Sequence, residues 1–489
     1  MEIVSSVKPI WVCLVSLLAV IPIAIFGKSP NRREAATILA GLTKFSLVLS
    51  MLPGVLAGKV YEFTFLELIE GVPLQFRVDG LGMTFALVAS SLWILTSFYG
   101  MGYMRGLKEH AQTRFYCFFA ISLSATLGVA FSANLLTLYV FYEMLSLATY
   151  PLVTHNQDKE ARSGGRTYLT YLLSTSIGFV LPAMLFCYFK SGSSLTFTEG
   201  FEWTGVLGST EVMILLMLFV FGFAKAGIMP FHSWLPNAMV APTPVSALLH
   251  AVAVVKVGVF CILRVFTGIF GTEFLQTIDV AHVISLVAAF TVIVSSLIAM
   301  TQDNLKRLLA FSTIGQLSYI ILGISLLAPH AVQGSMLHIP MHAFGKITLF
   351  FCAGAIFVAS GKKYISQLSG LGRAMPWTMG AFAVGAMSVI GLPLTGGLLS
   401  KLYMIWGAAD AQQHLLLGVY LVSSVLNGVY FFPIVYRAFF GTPSDGVSQV
   451  REAPLACVAP LVLTASVSVV LFFFPNVFFE LTSLMIPSK

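Results

Sequence analysis

Long apolar runs separated by short polar loops recur along the whole chain, and this pattern limits its fold more than any other feature. A helix needs about 20 apolar residues to cross a bilayer. Fourteen candidate spans of roughly that length occur, at 9–27, 34–57, 80–103, 115–132, 134–154, 167–189, 211–229, 244–268, 279–301, 305–327, 331–360, 376–408, 414–440 and 454–478. Only 10% of the 489 residues are charged, against about 25% in soluble domains. We therefore predict an all-α polytopic membrane protein with about 14 transmembrane helices.

The basic residues predict how these spans are oriented. Sixteen of the 27 Lys and Arg lie in loops after odd-numbered spans, and six lie in the other loops and the termini. Cytoplasmic loops carry the excess of Lys and Arg, so both termini are expected on the non-cytoplasmic side. The net charge of +7 reflects these loops and does not indicate a nucleic-acid partner. No cleavage-site pattern follows the first span, which is expected to be retained.

Residues 58–79 form the longest early segment on the outside. Leu74, Phe76 and Val78 alternate with polar neighbours, which predicts a short hairpin strand that covers helix ends.

The six cysteines are scattered through apolar stretches, and none forms a CxxC pair. Zinc and iron–sulfur sites need clustered thiolates, so no metal site is predicted. No nucleotide, flavin or quinone motif is recognisable, and no cofactor is expected. If the chain belongs to a redox-driven enzyme, the redox site is therefore expected in another polypeptide.

Residues 221–256 place two lysines at membrane depth on either side of a proline-rich break. Lys225 lies about fourteen residues into the seventh span and Lys256 about twelve into the eighth. A cation in hydrocarbon costs about 2.5–3.5 kcal/mol on insertion scales, so such lysines indicate a functional site. Pro230 lacks a backbone N–H, so a carbonyl one turn earlier is expected to lose its helical partner. The alternative for Lys225 is a side chain that snorkels to the interface.

Glu143 is the carboxylate nearest the middle of the fifth span, and nothing charged adjoins it in sequence. Inside a membrane a carboxylate needs a basic partner, water or a proton. We therefore predict that it takes part in proton transfer. The alternative is a structural carboxyl group bonded to the hydroxyl of Ser146, one turn further along.

Histidines accompany these lysines on two spans. His250 lies six residues before Lys256, on a different helix face, and is either a relay group or a structural histidine. His338, His342 and Lys346 recur at i, i+4 and i+8, so they are expected to form a stripe along one helix face, kinked at Pro340. Histidine titrates near neutrality, which suits proton relay. The alternatives are packed polar side chains or, less well supported, a zinc pair without a third ligand.

Lys401 follows a second break, which contains Gly391 and Pro393. It lies in the twelfth span, five spans after that of Lys225, and a five-helix repeat reverses orientation each time. We therefore predict two inverted five-helix repeats, spans 4–8 and 9–13, with broken helices 7 and 12. The corresponding units are 1–114, 115–268, 279–440 and 441–489.

Two further lysines have weaker settings. Lys44 lies nearer the membrane edge and is expected to snorkel. Lys306 begins the tenth span on the cytoplasmic side, where Asp303 can pair with it. It is either an orientation anchor or a proton-uptake group.

Four segments together resemble the antiporter-like subunits of complex I and of Mrp-type multisubunit cation/proton antiporters: FYEMLSLATYPLV, KAGIMPFHSWLPNAMVAPTPVSALLHA, DNLKRLLAFSTIGQLSY and MHAFGKITLFF. Related subunits occur in membrane-bound hydrogenases, and the resemblance covers about residues 70–440. It implies fourteen helices, two inverted repeats and a line of buried charges across the mid-membrane. It also implies the inner membrane of a prokaryote and a complex with other membrane subunits, including homologous antiporter-like ones.

The resemblance of these motifs implies particular family roles for residues in this chain. These are the helix-5 glutamate (Glu143), the helix-7 lysine (Lys225), the linking helix-8 lysine (Lys256), the helix-11 histidine region (His338, His342) and the helix-12 ionisable group (Lys401). The length and the lack of a C-terminal lateral helix look like the D-type Mrp protein or the shorter complex I subunits. The helix 7–8 junction looks more like the larger antiporter subunit.

The expected function is proton translocation within a membrane complex, most closely an Mrp-type antiporter, with sodium or potassium as the other ion left open. Protons are expected to reach Lys225 and Lys256 from the cytoplasm, to cross through the histidines and to leave by Lys401. Glu143 would modulate Lys225 through an ion pair that forms and breaks. The alternatives are a subunit of a redox-driven pump, a scaffold whose charges hold helices together, and a stand-alone metabolite carrier.

Overall fold

The computed structural model describes residues 2–69, 71–192, 194–197, 203–248, 252–443 and 446–486. The structure is mostly helical. The principal helices, numbered in chain order, are α1 Lys8–Ile25, α2 Pro30–Leu56, α3 Gly80–Gly106, α4 Gln112–Ala130, α5 Leu135–Val153, α6 Lys159–Lys190, α7 Ser209–Gly222, α8 Val254–Phe270, α9 His282–Met300, α10 Leu305–Ser325, α11 Pro329–Ser360, α12 in two halves Pro376–Ile390 and Gly396–Asp410, α13 His414–Phe440 and α14 Leu455–Phe473.

The chain is an integral membrane protein with many spans. Among the described residues, eleven helices are long and apolar enough to cross a membrane, or twelve if α8 and the bent helix Thr272–Ile278 count as one. The first half of α12 and all of α7 are shorter apolar helices. The predicted multispanning fold is confirmed, and the total of fourteen crossings stays a prediction.

A small sheet covers one end of the first helices. Strand β1 (Glu2–Ser5) pairs in parallel with β2 (Lys59–Ile69), which forms an antiparallel hairpin with β3 (Val72–Val78). The predicted hairpin is therefore present, and the fold is not strictly all-α. Directly after β3, the Asp79 side chain caps α3 by accepting from the Gly82 N–H at 2.8 Å, as short polar N-cap residues do.

The two predicted five-helix units share one local signature. Helix α5 is capped by Asn134 and α10 by Asn304, and each side chain accepts from the N–H three residues on. Each asparagine also forms an isolated antiparallel bridge beyond the next helix, Asn134 with Thr196 and Asn304 with Tyr364. The same cap and the same long-range bridge at the start of the second helix of each unit support the predicted repeat.

Both predicted breaks are present, and the first differs in position from its prediction. Helix α7 ends at Gly222, and Lys225 lies in a separate helical turn, Ala224–Ala226, which closes at Gly227 with φ +70°. The break thus precedes Lys225 instead of following it. The Ala224 carbonyl accepts both from the Gly227 N–H, which closes the turn, and from the indole N–H of Trp234, each at 2.9 Å.

Helix α11 runs without interruption from Pro329 to Ser360, although Pro340 lies inside it. The kink expected at Pro340 stays a prediction, and the helix continues across the proline because tertiary contacts hold it on both sides. It packs against α10, both halves of α12, α14 and α3. A central position among these helices explains why residues 334–356 of α11 are all buried.

Candidate functional site

Lys225 is fully buried and its ammonium group meets neutral oxygen atoms on α5. Its Nζ donates to the Tyr142 carbonyl at 2.9 Å and to the Ser146 hydroxyl at 2.6 Å, and it lies 3.1 Å from the centroid of the Tyr142 ring. A cation over an aromatic face is stabilised electrostatically. The site holds the lysine in hydrocarbon without a carboxylate, so snorkelling is excluded.

Glu143 lies beside this site but does not pair with Lys225. Neither of its carboxylate oxygens, both buried, has a hydrogen-bond partner within the part of the chain that the structure describes. Ser146, the alternative partner suggested by its spacing, bonds to Lys225 and to the Tyr142 carbonyl instead. A buried carboxyl group without a hydrogen-bond partner is costly, so Glu143 is open to a partner that approaches it.

Lys256 and the α11 histidines form a continuous row. Lys256 Nζ lies 2.5 Å from His342 Nδ1. The rings of His342 and His338 stack with their centroids 5.5 Å apart, and His338 Nδ1 lies 2.9 Å from the Ser400 hydroxyl on α12. The Nε2 atoms of both histidines lack partners among the described residues. A proton can therefore lie on Lys256 or on His342, and each histidine ring keeps its Nε2 for another proton carrier.

Lys401 follows Ser400 directly and closes the break in α12. Its Nζ donates to the carbonyls of Val389 and Ile390 at 2.8 and 3.0 Å. These are the last carbonyls of the first half-helix, where the helix dipole favours a cation. The lysine also lies 4.6 Å from the Tyr319 ring centroid. Each broken helix thus holds a buried lysine beside backbone carbonyls and over a tyrosine ring.

Lys346 departs from the predicted stripe. It is fully buried, but its Nζ donates to the Ser312 hydroxyl on α10 at 2.8 Å, away from the histidine pair. The Tyr430 hydroxyl also donates to Ser312 at 2.9 Å. Lys346 is therefore bonded to hydroxyl groups outside the row.

Lys306 lines a cavity of about 500 Å³ at the face carrying the basic loops. Its Nζ donates to the Ala241 carbonyl at 2.6 Å. Asp303, the expected partner, instead accepts from the backbone and hydroxyl of Ser366. The cavity wall also includes Glu109, so charged groups of both signs surround water-accessible space next to helix α10.

Two predicted residues remain. Lys44 is fully buried, where its Nζ donates to the Ser16 hydroxyl at 2.6 Å and to the Leu123 carbonyl at 3.1 Å. The prediction that it snorkels is wrong, because α1, α3 and α4 enclose it. His250 lies outside the described residues.

The residues that sequence reasoning missed are hydroxyl groups. Serines and tyrosines contact the lysines and His338, the main ones not expected from the sequence being Tyr142, Ser312, Tyr319, Ser400 and Ser424. Hydroxyl groups are common on helices at any position, and no spacing marked these. Only contacts between helices distant in sequence identify them.

Comparisons with known proteins agree with this arrangement. The family described as "NADH:quinone oxidoreductase/Mrp antiporter, TM" matches residues 132–427. NADH-quinone oxidoreductase subunit N of Desulforudis audaxviator (strain MP104C) is 32% identical over 409 residues, covering 79% of this chain and 80% of the relative. The A-type protein of the Na(+)/H(+) antiporter of Bacillus subtilis (strain 168) is 32% identical over 440 residues, covering 84% of this chain. The chain spans 54% of the length of that antiporter protein.

Two solved structures share the fold. A chain in the Mrp complex from Dietzia sp. DQ12-45-1b has a TM-score of 0.86 at 21% identity, covering 98% of this chain and 97% of that one. A chain of the membrane-bound sulfane sulfur reductase, an archaeal respiratory membrane complex, has a TM-score of 0.82 at 23% identity, covering 97% and 96%. At these identities the likeness establishes the architecture alone.

Proposed function

Because the chain belongs to the NADH:quinone oxidoreductase/Mrp antiporter transmembrane family, we propose that it is a proton-translocating, antiporter-like subunit of a multisubunit membrane complex. The complex is most closely an Mrp-type cation/proton antiporter, and its other membrane subunits are the partners. The observation that carries the proposal is the row Lys256, His342, His338 and Ser400, with Lys401 at its end. These groups can each take up and release a proton, or pass one on, without a change of fold.

Protons reach the row from the cavity beside Lys306, which lies among the basic loops assigned to the cytoplasmic side. Helix α8, which carries Lys256, packs directly on the turn that carries Lys225, at Gly258. Without its extra proton, each lysine is a neutral amine that can still bond to its partners, which are the Tyr142 carbonyl and Ser146 hydroxyl for Lys225 and the His342 imidazole for Lys256. The lysines are therefore held where both charge states can exist.

Glu143 controls Lys225 by forming and breaking an ion pair. In this conformation the pair is open, since Lys225 bonds to Tyr142 and Ser146. Closing it to about 4 Å would gain about 4 kcal/mol at an effective dielectric of 20. That is about three pKa units, enough to decide whether the lysine keeps its proton.

Substitutions in the row test the proposal in membrane vesicles that contain the assembled complex. Lys256→Met, His342→Gln, Lys225→Ala and Glu143→Ala should each lower proton-coupled transport by about a hundred-fold or more, the range typical of losing a proton-transfer group. Lys44→Met is the matched control, because Lys44 is equally buried and equally bonded to neutral oxygens but lies on α2. It should assemble and keep most transport.

The outcomes separate proton relay from a scaffold role. If the charges only hold helices together, variants in the row should lose assembly, as measured by the yield of intact complex, and the complex that does assemble should transport at the normal rate. Assembled variants that transport at the normal rate would contradict the proposal.

A redox-driven pump is the second candidate, and one observation favours it. The chain covers 80% of the oxidoreductase relative but 54% of the antiporter relative. The subunit composition of the purified complex separates the two, because flavin or iron–sulfur subunits would indicate the redox complex.

A further inference from the structure

Three side chains with metal-ligating atoms meet outside the proposed relay. Glu109 and His110 lie in the loop between α3 and α4, and His155 lies between α5 and α6. One ligand atom from each lies within 4.8 Å of the other two. The two loops are far apart in sequence, so the fold alone brings these residues together.

His155 is the unusual member of this cluster. Its side chain is fully buried, yet neither ring nitrogen has a partner among the residues the structure describes. Buried polar groups nearly always form hydrogen bonds, so an unbonded imidazole indicates a ligand. Its backbone is fixed, because its carbonyl accepts from Arg114 Nη2 at 2.7 Å and contacts His110 Nε2 at 3.0 Å.

We propose that Glu109, His110 and His155 form a binding site for a zinc-class divalent cation, with water completing the coordination. Two imidazoles and one carboxylate are a known donor set for Zn²⁺, whereas Mg²⁺ and Ca²⁺ prefer oxygen ligands only. Zinc bonds of about 2.0–2.2 Å place tetrahedral ligand atoms about 3.4 Å apart. Because Glu109 is half-buried and His110 exposed, both can close the remaining distance on the fixed His155.

The surroundings set the strength of the site. Both ring nitrogens of the buried His155 side chain are unbonded among the described residues, so the ring has a nitrogen to offer a metal ion. The nearby Arg114 guanidinium repels a cation. We therefore expect reversible binding and not the permanent occupancy of a structural zinc site.

A bound cation would affect the proposed function through the cavity. Glu109 lines the same cavity as Lys306, and His155 follows helix α5, which carries Glu143. The cation would tie the loop after α3 to the end of α5 and place positive charge at the cavity mouth. Both effects would slow proton uptake. This consequence rests on the proposed function, whereas the binding of zinc does not depend on it.

Zinc titration of the purified intact complex tests the binding. Glu109→Gln and His110→Gln should each weaken zinc binding at least about ten-fold, as loss of a direct ligand does, and should lower the bound metal by one equivalent per copy of this chain. His282→Gln is the matched control, because this exposed histidine bonds to the Asp279 carbonyl, away from the cluster; it should bind zinc as the parent does. Both partly exposed variants should fold even if His155→Gln does not. Unchanged binding in both would overturn the proposal.

Transport assays with added zinc chloride and with chelator give a second readout. The parent and His282→Gln should be inhibited reversibly, and Glu109→Gln and His110→Gln should resist. If these variants lose the zinc but are inhibited as before, the link to the cavity is wrong. Failure of the proposed function would differ, because the zinc-free parent would then transport no protons while the titration still showed the site.

Discussion

Buried charged side chains in this protein have two kinds of partner, which are neutral polar groups or an opposite charge. The lysines on the broken helices and on α8 and α11 bond to carbonyls, hydroxyls or an imidazole, with no ion pair among the described residues. Asp79 and Arg264, by contrast, form a buried pair with two hydrogen bonds, of 2.5 and 2.7 Å. Neutral partners leave a lysine free to change protonation state, whereas a bidentate pair fixes both charges.

Breaking the Asp79–Arg264 pair should destabilise the protein without affecting the relay directly. Asp79→Asn leaves a buried guanidinium unpaired, which costs about 3–5 kcal/mol, and thermal unfolding of the purified protein measures it. Asp279→Asn, at an exposed aspartate, is the control and should be near neutral. Equal unfolding temperatures in the two variants would show that the pair is not important for stability.

The same pair predicts a pH dependence. Burial alone would raise the pKa of Asp79, but the Arg264 guanidinium and its hydrogen bonds more than offset this, and the pKa lies below its usual value. Stability from a lowered pKa is present above the unfolded-state pKa and is lost as pH falls through the folded-state value. The difference between the parent and Asp79→Asn should therefore be constant near neutrality and shrink only in strong acid.

At the scale of elements, the breaks in α7 and α12 carry the lysines, and close packing keeps the breaks in place. Gly258 on α8 faces the turn that contains Lys225, and an added Cβ there would overlap backbone atoms of Lys225 and Ala226. Gly391 ends the first half of α12 at φ +89°, a conformation that glycine adopts without strain. The site geometry thus depends on two glycines that are not themselves ionisable.

Gly258→Ala should reduce transport although it adds only a methyl group. Backbone atoms cannot move aside cheaply, and overpacking costs about 1–3 kcal/mol, so the Lys225 turn should shift relative to α5. Gly418→Ala on α13 is the matched control, because a Cβ there meets nothing within 4 Å. Vesicle transport rates, normalised to assembled complex, give the comparison. Equal rates in the two variants would mean that the Lys225 turn tolerates displacement.

The whole molecule has two unlike faces. The cavity, the Glu109–His110–His155 cluster and Lys306 all lie among the loops rich in Lys and Arg. The three-stranded sheet and the Asp79–Arg264 pair lie at the other ends of the helices. The positive-inside rule predicts that the face with the basic loops is cytoplasmic, which is the side from which the proposed proton uptake would start.

Labelling from each side of the membrane tests the orientation. A cysteine at exposed Ser5 should react with an impermeant maleimide in right-side-out vesicles, and one at Lys108, in the loop after α3, only in inside-out vesicles. The six native cysteines are buried or half-buried, so their background should be low. The reverse pattern would place the cavity on the outer side and contradict the proposed direction of uptake.

The sequence alone determined the multispanning architecture, the buried lysines and the repeat of a broken helix after five spans. These follow from apolar length, from the cost of charge in hydrocarbon and from helix-breaking residues, all of which are local properties. Local rules also set the limits of the predictions. Boundary estimates put Lys44 near the membrane edge, and this prediction is wrong because the surrounding helices enclose its side chain.

Only the tertiary structure decided which groups meet. The 2.5 Å contact between Lys256 and His342 joins residues 86 apart, and Lys44 reaches carbonyl and hydroxyl groups on two other helices. The Glu109–His110–His155 cluster joins two separate loops. The scattered cysteines predicted no metal site, and no pattern in the sequence indicated this cluster. A single sequence encodes periodicity and burial along each helix, but the partners of a polar side chain depend on helix packing, which no local pattern records.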